Sequence, residues 1–250
     1  MTLTDDQLDR YARQIVLRQI GGEGQKRLLA ARVVVVGAGG IGSPAIQYLA
    51  AAGVGRIAII DDDRVDLSNL QRQILFGARD LGQFKVHKAR ETVAALNPDV
   101  EIQAVPTRID ASNACRLLAG ADVVLDGTDT FKTRLVVADA ALALHIPLVS
   151  ASVGEFEGQL AVYRGWDAGN PCYRCLVGGD PERPGRSCAD LGVLGAAAGV
   201  MGSLAALEVI RCITGFGEDS AGKLLLMDAL TLRFRTVGLR KDPGCPACAA

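Results

Sequence analysis

Arg32-Val33-Val34-Val35-Val36-Gly37-Ala38-Gly39-Gly40-Ile41-Gly42 is the stretch that decides the fold. Its β-branched run is apolar on both faces, which suits a central strand of a parallel sheet covered by helices. Glycines at 37, 39 and 42 fit G-x-G-x-x-G, in which they serve the tight turn, the close approach of backbone to phosphate and the packing of helix on strand. The spacing predicts a helix over 43–52, whose free N–H groups and positive dipole end face the loop. A second strand over 56–60 then delivers Asp61, nineteen positions after Gly42, where a carboxylate can hold ribose hydroxyls. The motif predicts a bound adenine nucleotide. A tight packing turn without a ligand is the plain alternative.

The residues after Asp61 discriminate between nucleotides. An NAD-dependent oxidoreductase would continue into another helix and strand, with a substrate domain beyond. Here the chain reads Asp62-Asp63-Arg64-Val65-Asp66-Leu67-Ser68-Asn69-Leu70-Gln71-Arg72-Gln73, polar and strand-breaking, with amide and guanidinium donors suited to a triphosphate. Lys85 opens a helix predicted over 85–96 and closed by Asn97-Pro98. A cation at a helix N-terminus is disfavoured by the dipole, so an anionic ligand would explain it. Further strands are expected at 100–105, 121–126 and 147–152, and helices at 112–119 and 131–145. Asp129 follows the second of these strands. It stands either on the ligand rim, able to meet magnesium or phosphate, or as N-cap of the next helix.

Composition sets outer limits. The chain has 250 residues and a formal net charge of −1, and only 4% of it is aromatic, which argues against a nucleic-acid surface. Met1 to Asp9 is acidic and polar, unlike a signal peptide, so a cytoplasmic protein is expected. The apolar stretch 191–210 approaches the length of a membrane span, but its Gly and Ala content and the nearby Glu208 and Arg211 favour a buried core helix. An amphipathic helix is expected over 5–20, with Leu8, Tyr11, Ala12, Ile15 and Val16 on one face and Arg10 and Arg13 sharing another; Gly21-Gly22-Glu23-Gly24 stops it. From Glu157 onward alternating patterns predict antiparallel strands at 159–163, 223–227 and 232–237. The expected fold is therefore α/β, a Rossmann-like mixed sheet with helices on both faces. It forms one domain over 1–250, with the nucleotide-binding half in 1–150.

Seven cysteines supply a second signal. Cys172-Tyr173-Arg174-Cys175 and Cys245-Pro246-Ala247-Cys248 are two C-x-x-C knuckles that could turn four thiolates onto one structural zinc. Two separate redox pairs are the alternative. Cys115 and Cys212 read as packing residues within helices. Cys188 stands in a Gly- and Pro-rich crossover over 178–190, where a thiol is open to chemistry.

Taken together, Arg10-Tyr11-Ala12-Arg13-Gln14-Ile15, the glycine loop, Leu67 to Gln73, Lys85, Thr128-Asp129, both knuckles and Ser187-Cys188-Ala189 closely resemble the MoeB/ThiF family of ubiquitin-activating-enzyme-like adenylyltransferases, almost end to end. The resemblance implies an eight-stranded mixed sheet and a homodimer that uses ATP and magnesium. The reaction it implies is adenylation of the C-terminal glycine of a small β-grasp sulfur-carrier protein ending in Gly-Gly. Gly37, Gly39, Gly40 and Gly42 would take the phosphates and Asp61 the ribose. Ser68, Asn69, Leu70, Gln71, Arg72, Gln73 and Lys85 would form the triphosphate cradle, and Asp129, beside Thr130, would hold magnesium. Arg13 would reach across the dimer, and Cys188 would link covalently to sulfur. Residues 151–250 would be the carrier-binding half. Asp228-Ala229-Leu230 leans towards the molybdopterin carrier, whereas Asp61-Asp62-Asp63 leans towards the thiamine carrier. No rhodanese domain follows Ala250, so a separate sulfur donor is expected. Where the family commonly has Asn, Thr130 stands after Asp129.

Overall fold

The computed structural model describes residues 2–178 and 192–249. Five strands form a parallel sheet in the order β3-β2-β1-β4-β5: β1 (Arg32–Val36), β2 (Arg56–Ile60), β3 (Glu101–Val105), β4 (Val123–Asp126) and β5 (Leu148–Gly154). Three antiparallel strands continue it beyond β5: β6 (Glu157–Tyr163), β7 (Lys223–Asp228) and β8 (Arg233–Gly238). The result is the expected eight-stranded mixed sheet. Strand order reverses between β1 and β4, which opens a crevice at their carboxyl ends, where an open α/β sheet binds ligands.

Alternation along β1 shows how the sheet is covered. Val33 and Val35 face one core, with Ile46 and Leu49 of α3 (Gly42–Ala51) and Val86 and Val93 of α4 (Lys85–Leu96). Val34 and Val36 face the other, with Leu118 of α5 (Ala114–Leu118) and Leu135 and Ala141 of α6 (Phe131–Ala143). The long apolar stretch forms a helix over Gly195–Thr214 that is long and apolar enough to cross a membrane. Here it is a core helix, burying Ala198, Met201, Ala205 and Val209 against α3 and the sheet. Its Gly202 lies against the Ile41 carbonyl and Pro44, where an added Cβ would come within 2.3 Å of backbone.

Several expectations are corrected. The N-terminal helix α1 spans only Asp5–Ile15, and α2 (Gly21–Ala30) begins at the very glycines expected only to stop it. Gly21 takes a positive φ of 60°, which lets the chain reverse and continue helically at once. Of the expected apolar face of α1 only Tyr11 is buried, with its hydroxyl accepting from Asn97 Nδ2 at 2.9 Å; Leu8 and Val16 are 43% and 76% exposed. Helix α5 starts late because the Asp110 carboxylate accepts from the amide and hydroxyl of Ser112, forming a local turn that competes with helix. Cys115 and Cys212 are exposed residues and not the packing groups expected of them.

Two glycines of the loop separate stability from binding. A Cβ on Gly42 would sit 1.9 Å from the Gly37 carbonyl oxygen, and neither backbone can yield, so Gly42→Ala is expected to destabilise by at least about 3 kcal/mol, at the upper end of overpacking costs. A Cβ on Gly39 meets nothing nearer than 3.9 Å, so Gly39→Ala should melt like the parent. It places a methyl on the pocket lining, and ATP titration of the folded variant should show weaker binding. Equal melting temperatures for the two variants would refute this division.

Candidate active site

The crevice between β1 and β4 brings most of the sequence candidates together. Gly37, Gly39 and Gly40 line it from the loop, and Asp61 from the end of β2. Asn69, Arg72 and Gln73 line it from the polar segment, Lys85 from the start of α4, and Asp129 and Thr130 from the turn after β4. Gly42 lies just behind, packed on Gly37. Ser68, Leu70 and Gln71 do not line the pocket. The Ser68 hydroxyl donates to Asp66 at 2.6 Å, Leu70 packs on the core, and the Gln71 carbonyl lies close against Gly195, leaving no room for a side chain there.

Local hydrogen bonding explains how the loop is held. Asp61 Oδ2 accepts from the Ala38 amide and Oδ1 from the Asp63 amide, each at 2.8 Å, so one carboxylate ties the glycine loop to the next turn. Burial pushes the Asp61 pKa up, against the opposing pull of the Lys85 charge and those two amides. Asp66 caps a 3₁₀ turn over Leu67–Asn69, which presents Asn69 and, one turn later, Arg72 and Gln73. Arg72 donates to the Ser68 carbonyl at 3.0 Å. Gln73 is buried, with its Oε1 unpartnered among described residues.

Lys85 is buried at the first position of α4, and Asp63 Oδ2 lies 2.8 Å from its Nζ. The anion demanded by its unfavourable place at the helix N-terminus is therefore supplied by the protein itself. The sequence reading misses Asp63 in this role, and it misses two further lining residues, Arg108 and Arg134. Arg108 pairs with Asp62 at 3.1 Å on the exposed rim, a contact of small energetic weight. The signal for Arg134 was present, since Val137, Ala138 and Ala141 continue its helical stripe and all are buried.

At the end of β4, Thr130 caps α6 by accepting from the Thr133 amide at 3.3 Å. Asp129 is thereby spared capping; its exposed carboxylate makes no hydrogen bond or ion pair with any described residue. An exposed carboxylate that lines one pocket with Arg72 and Lys85 fits a hard divalent cation carried on phosphates. The pocket contains no histidine: His87 packs edge-on against Phe84, and His145 stacks on Trp166. Arg13 is exposed on α1, outside this pocket, beside an apolar groove formed with Tyr48, Leu204, Leu207 and Ile210. Cys188 lies outside the described residues.

The two knuckles meet. The sulfurs of Cys172, Cys175, Cys245 and Cys248 all lie within 4.8 Å of one another, and the close pairs are Cys172–Cys245 at 3.6 Å, Cys175–Cys248 at 3.4 Å and Cys172–Cys175 at 3.8 Å. Tetrahedral Zn–S bonds of about 2.3 Å require sulfurs about 3.8 Å apart, so the donor set fits zinc. Burial pushes the Cys172 and Cys248 thiols up. Burial acts the same way on Cys245, but the amides of Ala247 and Cys248 outweigh it and bring that thiol down. Amides aimed at sulfur favour the thiolate that a metal needs.

Residues 11–247 match the ThiF family model. The chain belongs to the ThiF family. It is 47% identical to the sulfur carrier protein adenylyltransferase of Thermus thermophilus, over 99% of this chain and 93% of that protein. It is 44% identical to the sulfur carrier protein ThiS adenylyltransferase of Escherichia coli, over 98% of this chain and 97% of that one. In fold it is similar to Escherichia coli MccB in a crystal structure with ATP, with a TM-score of 0.83 at 24% identity, over 96% of this chain and 74% of that chain.

Proposed function

We propose that this ThiF-family chain adenylates the C-terminal glycine of a small Gly-Gly-ending sulfur-carrier protein, with ATP and magnesium, and so readies it for sulfur transfer. One observation carries the reading: Asn69, Arg72, Gln73 and Lys85 converge with Asp129 on the glycine loop, in one pocket at the sheet's switch point. The carrier carboxylate oxygen forms a bond to the α-phosphorus, the bond from that phosphorus to the bridging oxygen breaks, and pyrophosphate leaves. The nucleophile is already ionised, so no general base is needed, in keeping with a pocket free of histidine. Arg72 and Lys85 stabilise charge on the α-phosphate and the leaving group, while Gly39 and Gly40 admit the chain of phosphates. Asp129 would hold magnesium, which would neutralise phosphate charge when bound.

The apolar groove beside Arg13 is the proposed seat of a second copy, whose Arg13 would enter this pocket. Tyr48, Leu207, Val16 and Leu17 are 58%, 42%, 76% and 55% exposed there or nearby, apolar area that a homodimer would cover. Residues 151–250 would receive the carrier, beside the exposed Phe156, Leu230, Leu232 and Phe234. The molybdopterin carrier is the first reading of the substrate. The thiamine carrier is the second, favoured by the name of the Escherichia coli relative.

ATP–pyrophosphate exchange with each carrier in parallel tests the proposal. Exchange is expected with one carrier and should vanish when its last glycine is removed. Absence of exchange with both, from folded zinc-loaded protein, would overturn the choice of substrate.

A further inference from the structure

Arg134 is buried in the first turn of α6, 9% exposed, where the helix dipole disfavours a cation. Its contacts explain why it is there. Nη2 donates to the carbonyls of Thr128 and Ala151, the second at 2.9 Å. Nη1 reaches Ser150 Oγ at 3.4 Å and lies 3.8 Å from Asp126 Oδ2. Asp126 in turn takes the other side of the same residue: its Oδ1 accepts from the Thr128 amide at 3.0 Å and from the Thr128 hydroxyl at 2.7 Å. Thr128 is thus gripped from both ends, and its carbonyl belongs to the peptide that carries Asp129.

The next residue behaves in the opposite way. The Asp129 carboxylate faces the pocket, exposed and without a partner among described residues. A rigid stem bearing an uncommitted acid suits a group that must meet an incoming cation without reorganising. Only a planar fork can serve two carbonyls and a hydroxyl while facing a carboxylate; a lysine ammonium has the charge but not the span.

We propose that Arg134 is a positioning residue: by holding the Thr128–Asp129 peptide, it aims Asp129 at the metal of the metal–nucleotide substrate. The inference rests on the nucleotide reading above, and the experiment separates the two. Manganese is titrated by electron paramagnetic resonance into the full-length protein with α,β-methylene-ATP, alongside nucleotide binding in EDTA and a thermal melt. Arg134→Lys keeps the charge opposite Asp126 and is expected to weaken manganese binding about tenfold, with metal-free nucleotide binding within about twofold of the parent; losing a group that orients a metal ligand commonly costs about 10–100-fold in metal affinity. Asp129→Ala should show the same metal defect, and the double variant should be no worse than Asp129→Ala alone. Thr128→Val, which removes one hydroxyl from the same clamp, should shift manganese affinity in the same direction by about threefold and covers the case in which Arg134→Lys fails to fold. A lower melting temperature with manganese affinity unchanged in both clamp variants would overturn the proposal and leave the nucleotide reading intact. If the parent binds neither nucleotide nor manganese, the nucleotide reading falls, and this inference falls with it.

Discussion

Lys85→Ala is expected to slow ATP–pyrophosphate exchange at least about a hundredfold while the protein remains folded. Removing one preorganised donor to developing transition-state charge costs about 2.7–4 kcal/mol, a factor of about 10²–10³ in rate. Lys85 meets the structural condition for an effect of that size, because its ammonium is buried at the pocket wall and oriented by Asp63 at 2.8 Å. Stability should change little. The substitution removes a cation from the positive end of α4, and the Asp63 carboxylate left behind is 60% exposed and can be hydrated. Arg72→Ala should give a loss of the same order, since among the described residues Arg72 is held by the Ser68 carbonyl and lies against Gly40, leaving its guanidinium for the ligand. Steady-state exchange, with nucleotide affinity measured separately, checks both. Near-parental exchange in either folded variant would remove that residue from the proposed chemistry.

The sequence was most informative where local signals agreed with long-range packing. Helix α4 runs over Lys85–Leu96 as expected, because Gly82 precedes it and Asn97-Pro98 ends it, and Asn97 also binds Tyr11 and the Ala50 carbonyl. The valine run of β1 fixed both the central strand and the two cores, since alternate valines face opposite sides. Boundaries failed where a polar side chain turned the backbone locally, as Asp110 does before α5. Pairings across the chain were the least legible. Nothing in Asp61-Asp62-Asp63 indicates that the third acid meets Lys85, 22 residues on, or that Arg134 grips Ala151, 17 residues on. The apolar stripe of α1 was legible, but only its Tyr11 is buried, because periodicity reports a stripe and not what covers it.

The cysteine cluster carries the other large expected effect. Freshly purified protein should contain about one zinc per chain, and Cys245→Ser with Cys248→Ser should abolish it and lower the melting temperature by about 10 °C. A cross-link between residues 73 apart restricts the unfolded chain by about 4 kcal/mol in the loop-entropy model. For a chain of this size each kcal/mol moves the midpoint by about 2–4 °C. The sulfurs pair across the two knuckles at 3.6 and 3.4 Å, so metal binding ties the C-terminal segment to α7 (Tyr173–Val177). That short helix grips α6 through Arg174, whose Nε and Nη2 donate to the two carboxylate oxygens of Asp139 at 2.7 Å each, and α6 begins just after the Thr128–Asp129 turn. Zinc loss should therefore loosen the acid side of the pocket as well as the tail, weakening metal-dependent nucleotide binding more than nucleotide binding in EDTA. Two independent redox pairs predict the reverse: no stoichiometric zinc, a melting temperature that responds to dithiothreitol, and no effect of Cys245 on the far knuckle. Metal analysis and parallel melts of the parent and the double variant decide between these outcomes.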